Sequence, residues 1–191
     1  MARKTETRNK IMKVALRLFS EQGYYSTPTK LIAQEAGVNE LTLFRHFGTK
    51  ERLFQDVTEN FVQEIDLTHE IDELITQDFE ESMLSIADDY LNFCIECEAL
   101  YKIQLRLRDD EKEFVRLKLS REFKSVLSDY FTELKEQDVI DGDPEMMAVT
   151  IINSILGSYT VYLLSNNTFT TMDLRDIVME QAKQFAAFYK V

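Results

Sequence analysis

The chain has 191 residues, enough for one or two domains with a well-buried core, since chains of this size bury about 70% of their unfolded surface. Its 34 acidic and 22 basic residues give a net charge of −12, which argues against a general nucleic-acid-binding protein. The sequence has no Gly-rich phosphate loop and no Ser or Cys nucleophile with a recognisable base partner, so we expect neither an enzyme nor a cofactor.

Apolar residues recur with helical spacing near the N-terminus and predict a first helix that ends at Gly23. Its apolar stripe consists of Ile11, Val14, Ala15, Leu18 and Phe19. A helix of this length with one apolar face needs partners to pack against. We therefore expect the next elements to fold back onto it.

A short helix, a turn and a second short helix follow. We expect Thr27 to cap the first of them and Pro28 to occupy its first position. Its apolar stripe consists of Leu31, Ile32 and Ala36. Gly37 tolerates the positive φ that a sharp reversal needs, and Asn39 is a good cap for a helix that runs to about Phe47. The segment therefore predicts a helix-turn-helix.

The second short helix is amphipathic. Leu43 and Phe47 share one face at i, i+4 spacing. The opposite, polar face consists of Asn39, Glu40, Thr42, Arg45 and His46. Thr49 then caps a longer helix that leads out of this region. The apolar stripe of that helix consists of Leu53, Phe54, Val57, Phe61 and Ile65.

Residues 8–61 resemble the N-terminal domain of the TetR, or tetracycline-repressor-like, family of bacterial transcriptional regulators. The resemblance is carried by the run ALRLFSEQGYYSTP, the turn IAQEAGV and the run LTLFRHFGTKERLF. It implies an all-α, nine-helix architecture with a three-helix helix-turn-helix domain at residues 1–48. Residues 49–191 would form an effector-binding and dimerisation domain, with helix 49–66 connecting the two.

The resemblance also implies which residues face the DNA major groove or its flanking phosphates. Together with the cap Asn39 and with Phe44, we expect this face to comprise Thr29, Lys30, Asn39, Glu40, Leu41, Thr42, Phe44, Arg45, His46 and Lys50. Lys50 would clamp a phosphate. Phe44 departs from the family, which usually has a tyrosine there whose hydroxyl reaches the DNA backbone. A phenyl ring can pack against sugars but cannot donate, so one phosphate contact would be missing.

Three of these residues have a second interpretation that the sequence leaves open. Arg45 can contact a guanine or a phosphate, or it can be a solvated surface charge. Glu40 can accept a hydrogen bond from cytosine N4, or it can stabilise the helix N-terminus through the dipole. Leu41 suits a contact with a thymine methyl group, although isolated surface leucines need no special explanation.

Charge is distributed unevenly along the chain. Residues 1–60 carry ten basic and seven acidic residues, whereas residues 61–191 carry 12 basic and 27 acidic residues. Attraction to DNA is therefore local to the N-terminal part. Four basic residues precede or open the first helix there, at Arg3, Lys4, Arg8 and Lys10. They are typical of an arm that touches phosphates or the minor groove, and a disordered solubilising tail fits equally well.

Cys94 and Cys97 have the C-x-x-C spacing of redox and zinc sites, but they lie in DDYLNFCIECEALYKI, whose apolar residues recur with helical period. Structural zinc would need four ligands, and only His46 and His69 could complete the set. We therefore expect no metal. We interpret both cysteines as helix-packing residues, with redox sensing as the alternative.

The rest of the chain predicts helices only. Apolar spacing and caps indicate helices at about 78–95, 98–107, 110–136 and 144–164, and a last helix that ends near Tyr189. Asp143 caps the fourth of these and Pro144 starts it, while Thr170 and Asp173 mark the beginning of the last. The predicted total is nine helices.

No charged residue occurs from Met146 to Met172, and the helix in this stretch is apolar on nearly every side. A membrane span fits its length, but polar residues dilute it and no flanking Lys or Arg sets an orientation. Such a helix can instead face its own core on one side and a second subunit on the other. We expect a homodimer through this helix and the last one, with an interface of Ile152, Ile155, Leu156, Gly157, Tyr159, Val178, Ala182 and Phe185.

The resemblance implies a repressor that binds a palindromic operator as a homodimer and is released by a small molecule held among the C-terminal helices. Met and Phe favour a lipophilic or aromatic effector. The candidate lining residues are Phe61, Ile65, Met83, Ile86, Tyr90, Phe93, Ile103, Leu107, Phe114 and Tyr159. The alternative is a DNA-binding regulator controlled by a protein partner. The N-terminus carries no apolar run typical of a signal peptide, so we expect a cytoplasmic location.

Overall fold

The computed structural model describes residues 2–63, 78–107 and 113–191, and the side chains in these ranges except those of 2–4, 61–63, 104 and 113–122. These ranges contain nine α-helices and a single isolated β-bridge, between Ile140 and Lys190. The helices are α1 (Ala2–Gln22), α2 (Thr29–Glu35), α3 (Glu40–Phe47), α4 (Lys50–Gln63), α5 (Phe79–Glu96), α6 (Glu98–Arg106), α7 (Glu113–Glu136), α8 (Pro144–Leu164) and α9 (Leu174–Tyr189). The all-α, nine-helix prediction is confirmed for the part of the chain that is described.

The chain divides into two compact units. The N-terminal unit contains residues 1–65 and 97–117, and the C-terminal unit contains residues 66–96 and 118–191. Helix α6 therefore belongs with α1 to α4, although it follows α5 in the chain. The predicted division at residue 48 concerns what each part binds, so it stays a prediction.

The N-terminal unit is built around one apolar face of α1. Ile11, Ala15, Leu18 and Phe19 on this face are almost entirely inaccessible to solvent. The same core contains apolar residues from α2, α3, α4 and α6, namely Ile32, Ala33, Leu43, Phe47, Leu53, Phe54, Val57, Leu100 and Ile103. The stripes that the sequence predicted for the first four helices thus meet in one core, and α6 completes it.

A buried carboxylate ties α1 to α4. Asp56 is only 8% exposed, and it accepts a hydrogen bond from Arg8 at 2.7 Å and forms an ion pair with Arg52 at 2.9 Å. The Arg8 guanidinium also lies 5.4 Å from the centre of the Phe47 ring. Arg8 is therefore engaged within the unit rather than held in an extended arm, whereas the side chains of Arg3 and Lys4 lie outside the described set.

The predicted start of α2 is wrong by one position. Thr27 is buried, and its hydroxyl donates to the carbonyl of Gly23 at 2.8 Å instead of capping α2. Pro28 is the N-cap residue, with no side-chain hydrogen bond, and α2 begins at Thr29. A buried hydroxyl needs a partner, and the carbonyl groups at the end of α1 are the acceptors that the turn brings close.

In the C-terminal unit, α9 packs against both α5 and α8. Their shared core includes Met83, Ile86, Leu91, Met147, Ile151, Ile155, Val178, Ala182 and Phe185. Asp143 caps α8 by accepting from the backbone N–H of Met146 at 2.8 Å, and Pro144 follows, as predicted. Asp173 caps α9 in the same way, through the N–H of Arg175.

Helix α8 is long and apolar enough to cross a membrane, but core helices of soluble proteins pass the same test. Its face with Met147, Ile151, Ile155 and Tyr159 is buried in the C-terminal unit. The opposite stripe, which includes Gly157, is exposed. One side of α8 therefore faces its own core, as expected from the sequence. The other side, where a second subunit is expected, is open in the single chain.

Both cysteines are free thiols and both are buried. Cys94 lies on the inner face of α5, where burial raises the pKa of its thiol to about 12. Cys97 lies at the junction of α5 and α6. The described residues contain no group of three or more His, Cys, Asp or Glu that could hold a metal ion. This environment favours the packing interpretation over redox sensing, because the thiolate is the reactive form.

We predict that Cys94 resists labelling in the folded protein. In a Cys97→Ser variant, Ellman's reagent at pH 8 should react with Cys94 about a thousandfold more slowly than with an ordinary thiol, because the pKa is raised from 9.0 to about 12. Absorbance of the released thionitrobenzoate measures the rate, and the same variant unfolded in guanidinium is the control. Equal rates in the two states would contradict the burial of this thiol.

Candidate nucleic-acid interface

Two glycines with positive φ angles flank α3, one in the turn before it and one directly after it. Gly37 has a φ of +67° between α2 and α3, and Gly48 has a φ of +75° just after α3. An L side chain at either position would be strained. Asn39 caps α3, because its side chain accepts from the backbone N–H of Thr42 at 2.7 Å. The predicted turn and the predicted cap of α3 are therefore both present.

Helix α3 has the two faces that its sequence predicts. Leu43 and Phe47 are buried in the core of the N-terminal unit. On the other side Arg45 is exposed, Leu41 is 78% exposed and Phe44 is 40% exposed. The outer face of α3 thus presents a cation, an aromatic ring and an aliphatic side chain to a ligand.

Some of the predicted DNA-facing residues already bond to one another. The Asn39 side-chain oxygen accepts from the hydroxyl of Thr42 at 2.7 Å as well as from its backbone N–H. This pair therefore holds the first turn of α3 in place. His46 is half-buried, with its ring centre 6.0 Å from that of Phe47.

A second hydrogen bond joins the two helices of the motif. The Thr29 hydroxyl donates to Glu40 Oε1 at 2.6 Å, which links the first residue of α2 to the first residue of α3. Both side chains are half-buried. Lys30, the next residue along α2, is exposed.

Lys50 lies at the start of α4 and contacts the turn between α1 and α2. Its Nζ donates to the carbonyl of Tyr24 at 2.5 Å and lies 4.4 Å from the centre of the Tyr24 ring. Burial of the amine lowers the pKa of Lys50. A phosphate contact by Lys50 stays a prediction. In the protein without DNA, the contact with Tyr24 fixes the position of the Lys50 side chain.

The predicted effector-pocket residues are divided between the two units, and some of them lie outside the described side chains. Ile103 and Leu107 belong to the packed core of the N-terminal unit, so a role for them in an effector pocket stays a prediction. The side chains of Phe61, Ile65 and Phe114 lie outside the described residues. The remaining members lie in the C-terminal unit, where four are buried and Phe93 is half-buried: Met83, Ile86, Tyr90, Phe93 and Tyr159.

Most of the predicted dimer-interface residues face the interior of the single chain. Those already buried are Ile152, Ile155, Tyr159, Val178, Ala182 and Phe185, while Leu156 is half-buried and Gly157 is exposed. A second subunit cannot reach the buried six without rearrangement. A helical period indicates an apolar side chain but not which neighbour covers it, so the sequence could not separate the inward stripe of α8 from the outward one.

The exposed apolar surface lies one stripe further round α8 and in the segment before α9. Its large exposed members are Val161, Tyr162, Leu164, Phe169 and Met172. All of them except Leu164 line an open groove of about 390 Å³. The groove is lined by Ser154, Gly157, Ser158, Val161, Tyr162, Ser165, Asn167, Phe169, Thr170, Met172, Leu174, Ile177 and Gln181. The sequence signal for this surface was the absence of charge between residues 146 and 172.

Comparison with known proteins gives the class to which this fold and this face belong. Residues 11–57 match the family model described as bacterial regulatory proteins, tetR family. The HTH-type transcriptional regulator AcrR of Shigella flexneri is 42% identical over 78 residues, which cover 37% of this chain and 36% of AcrR. The uncharacterized HTH-type transcriptional regulator YvkB of Bacillus subtilis (strain 168) is 26% identical over 160 residues, 83% of each chain.

The whole chain shares its fold with solved regulators. NalD, the secondary repressor of the MexAB-OprM multidrug efflux pump in Pseudomonas aeruginosa, superposes with a TM-score of 0.77 at 17% identity, over 100% of this chain and 98% of NalD. SmeT, the repressor of the Stenotrophomonas maltophilia multidrug efflux pump SmeDEF, gives 0.71 at 18% identity, over 96% and 90%. The fold and the exposed face of α3 define a helix-turn-helix protein.

Residues 11–57 are thus similar to the bacterial regulatory proteins of the tetR family, and the whole chain shares the all-α fold of solved proteins described as regulators of that family. The family resemblance seen in the sequence is thereby confirmed. The match to AcrR spans only about a third of that relative. The match therefore does not extend to the parts of AcrR that lie outside these 78 residues.

We predict that removing the Lys50 amine weakens the affinity for all DNA sequences about equally. A Lys50→Met variant keeps the apolar stem beside Tyr24 but loses the charge. The slope of log affinity against log salt should become shallower by about one, the contribution of one phosphate. Fluorescence anisotropy at several salt concentrations measures it. An unchanged slope with a lower melting temperature would assign Lys50 to the contact with Tyr24 alone.

Proposed function

We propose that this chain is a transcriptional regulator that binds a near-palindromic DNA operator as a homodimer and represses the adjacent gene. The observation that carries the proposal is the outward face of α3, which exposes Leu41, Phe44 and Arg45 at the end of a TetR-family helix-turn-helix. In such a motif the second helix enters the major groove and its N-terminal residues contact base edges. The basic balance of residues 1–60 supports the same role, because it places positive charge where DNA would lie.

The proposed dimer uses the uncharged surface of α8 and of the segment before α9. Val161, Tyr162, Leu164, Phe169 and Met172 form an exposed apolar surface around the groove. Contiguous apolar surface of this kind is typical of protein interfaces. Gly157 lies beside the groove with no atom within 4 Å of where its Cβ would be, so a partner helix could approach closely there. A two-fold dimer would place two copies of α3 about 34 Å apart on successive major grooves.

The proposed effector is a small lipophilic or aromatic molecule bound in the C-terminal unit. Support comes from the aromatic content of that unit, where the Tyr90 ring stacks on Phe93 at 5.8 Å and on Phe123 at 4.5 Å between ring centres. The related fold of SmeT has been solved in complex with triclosan. Met83 is buried on α5, the helix that carries Tyr90 and Phe93, and would supply an adaptable apolar wall.

Release from DNA requires that the effector bind one conformation more tightly than another. If the effector favours the conformation that does not fit the operator, DNA binding falls by the ratio of the two effector affinities. Reciprocity then requires the operator to weaken effector binding by the same factor. Titration of an effector with and without operator therefore measures the coupling directly.

Selection of binding sites by the purified chain from random duplex DNA tests the proposed function. We expect enrichment of an inverted repeat whose half-sites lie about one helical turn apart, bound by two copies of the chain. Sequencing identifies the site, and sedimentation of the complex gives the number of chains. Failure to enrich any sequence at low salt would overturn the proposal.

We predict that Arg45→Ala weakens binding to the selected operator by about 1–3 kcal/mol and relaxes preference at one base step, because a bidentate contact with guanine would be lost. Anisotropy on operator variants measures both effects. Lys13→Ala is the matched control, because it removes the same charge from an exposed position on α1. If Arg45→Ala behaves as this control does, Arg45 makes no base contact.

A further inference from the structure

The hydrogen bond between Thr29 and Glu40 places a carboxylate in a defined position on the DNA-facing side of the motif. Thr29 Oγ1 donates to Glu40 Oε1 at 2.6 Å. Each residue is the first of its helix, and the turn between the helices contains Gly37 at positive φ. The bond therefore spans the turn and joins two rigid backbone positions.

This bond orients a side chain that is otherwise free to rotate. A glutamate has several rotatable bonds and loses much conformational entropy when it is held in one position. The hydroxyl of Thr29 comes from a β-branched side chain with few rotamers, so it is a well-defined donor. Glu40 consequently loses part of its side-chain conformational entropy when the protein folds, so less entropy is lost when it contacts DNA.

The bond also leaves the carboxylate able to accept more hydrogen bonds. An ionised carboxylate has two oxygens with about four acceptor positions and no donor. Thr29 uses one of these positions on Oε1. By contrast, the side-chain oxygen of Asn39 beside it already accepts from both the hydroxyl and the backbone N–H of Thr42. Among the polar groups at the start of α3, Glu40 therefore offers an oriented acceptor.

Few groups on DNA can donate to such an acceptor. Phosphates are anions and repel a carboxylate, so a backbone contact by Glu40 is unfavourable. The major groove offers the amino groups of cytosine N4 and adenine N6, and glutamate pairs typically with cytosine N4, whereas glutamine pairs with adenine N6 and N7. The beginning of the second helix is the part of this motif that approaches base edges.

We propose that Glu40 determines operator specificity by accepting a hydrogen bond from N4 of a cytosine in each half-site, with Thr29 as the positioning residue. This inference rests on the proposed function, since it assumes that α3 enters the major groove. It resolves the choice that the sequence leaves open at Glu40. A carboxylate that served the α3 N-terminus alone would not need a partner on α2.

Site selection with four chains tests the inference. The wild type should enrich a half-site with one invariant cytosine. Glu40→Gln should change the preference at that position to adenine, and Glu40→Ala should abolish it, with a loss of about tenfold in discrimination. Preferences at the other positions should persist in both variants. Glu59→Gln, an exposed neutralisation on α4, is the control for the change of charge.

Thr29→Val separates positioning from chemistry, because it removes the hydroxyl and keeps the size of the side chain. We expect cytosine preference at the same position to fall several-fold, while the preferences at the other positions of the half-site persist. A loss of affinity that is equal for all sequences would assign Thr29 a phosphate contact instead and overturn its positioning role.

The outcomes distinguish the inference from the proposed function. If the wild type enriches an inverted repeat and every position keeps its preference in Glu40→Gln and Glu40→Ala, the inference fails and the regulator stands. If Glu40→Ala strengthens binding to all sequences equally, Glu40 acts only as a repulsive charge and the inference also fails. If the wild type enriches nothing, the proposed function itself fails.

Discussion

The DNA-facing helix depends on the apolar face of α1. Helices α2 and α3 have seven and eight residues, and isolated helices of that length are not stable in water. They persist because Ile32, Leu43 and Phe47 enter the core that is organised around α1. Helix α6 contributes to the same core, and Arg106 donates to the Ser20 carbonyl at 2.5 Å near the end of α1. The position of α3 is therefore a property of the whole N-terminal unit.

The outer face of the motif combines preorganised and adaptable groups. Thr29 and Glu40 bond across the turn, and Lys50 is held on Tyr24. Such contacts reduce the entropy lost on binding and favour specificity. Arg45 and Leu41 project into solvent instead and can adjust to the surface that they meet. Glu40 and Lys50 are thus held in fixed orientations, whereas Arg45 and Leu41 on the same surface can change their conformation.

Local signals in the sequence predicted much of this structure. Asn39, Thr49 and Asp143 cap the helices that they were expected to cap, because a cap depends only on backbone groups within three residues. Thr27 was the exception. Its hydroxyl had a competing acceptor at the end of α1, which is nearby in space only after the turn has formed.

The sequence by itself determined the helices, their apolar stripes, the helix-turn-helix and the family, because periodicity, caps and turn residues act over a few positions. Only the tertiary structure decided which stripe meets which partner. Ile103 packs into the core that contains α1, and Ile155 is buried within its own chain while Tyr162 is exposed. Burial depends on which distant segments the chain brings together, and helical period carries no information about them.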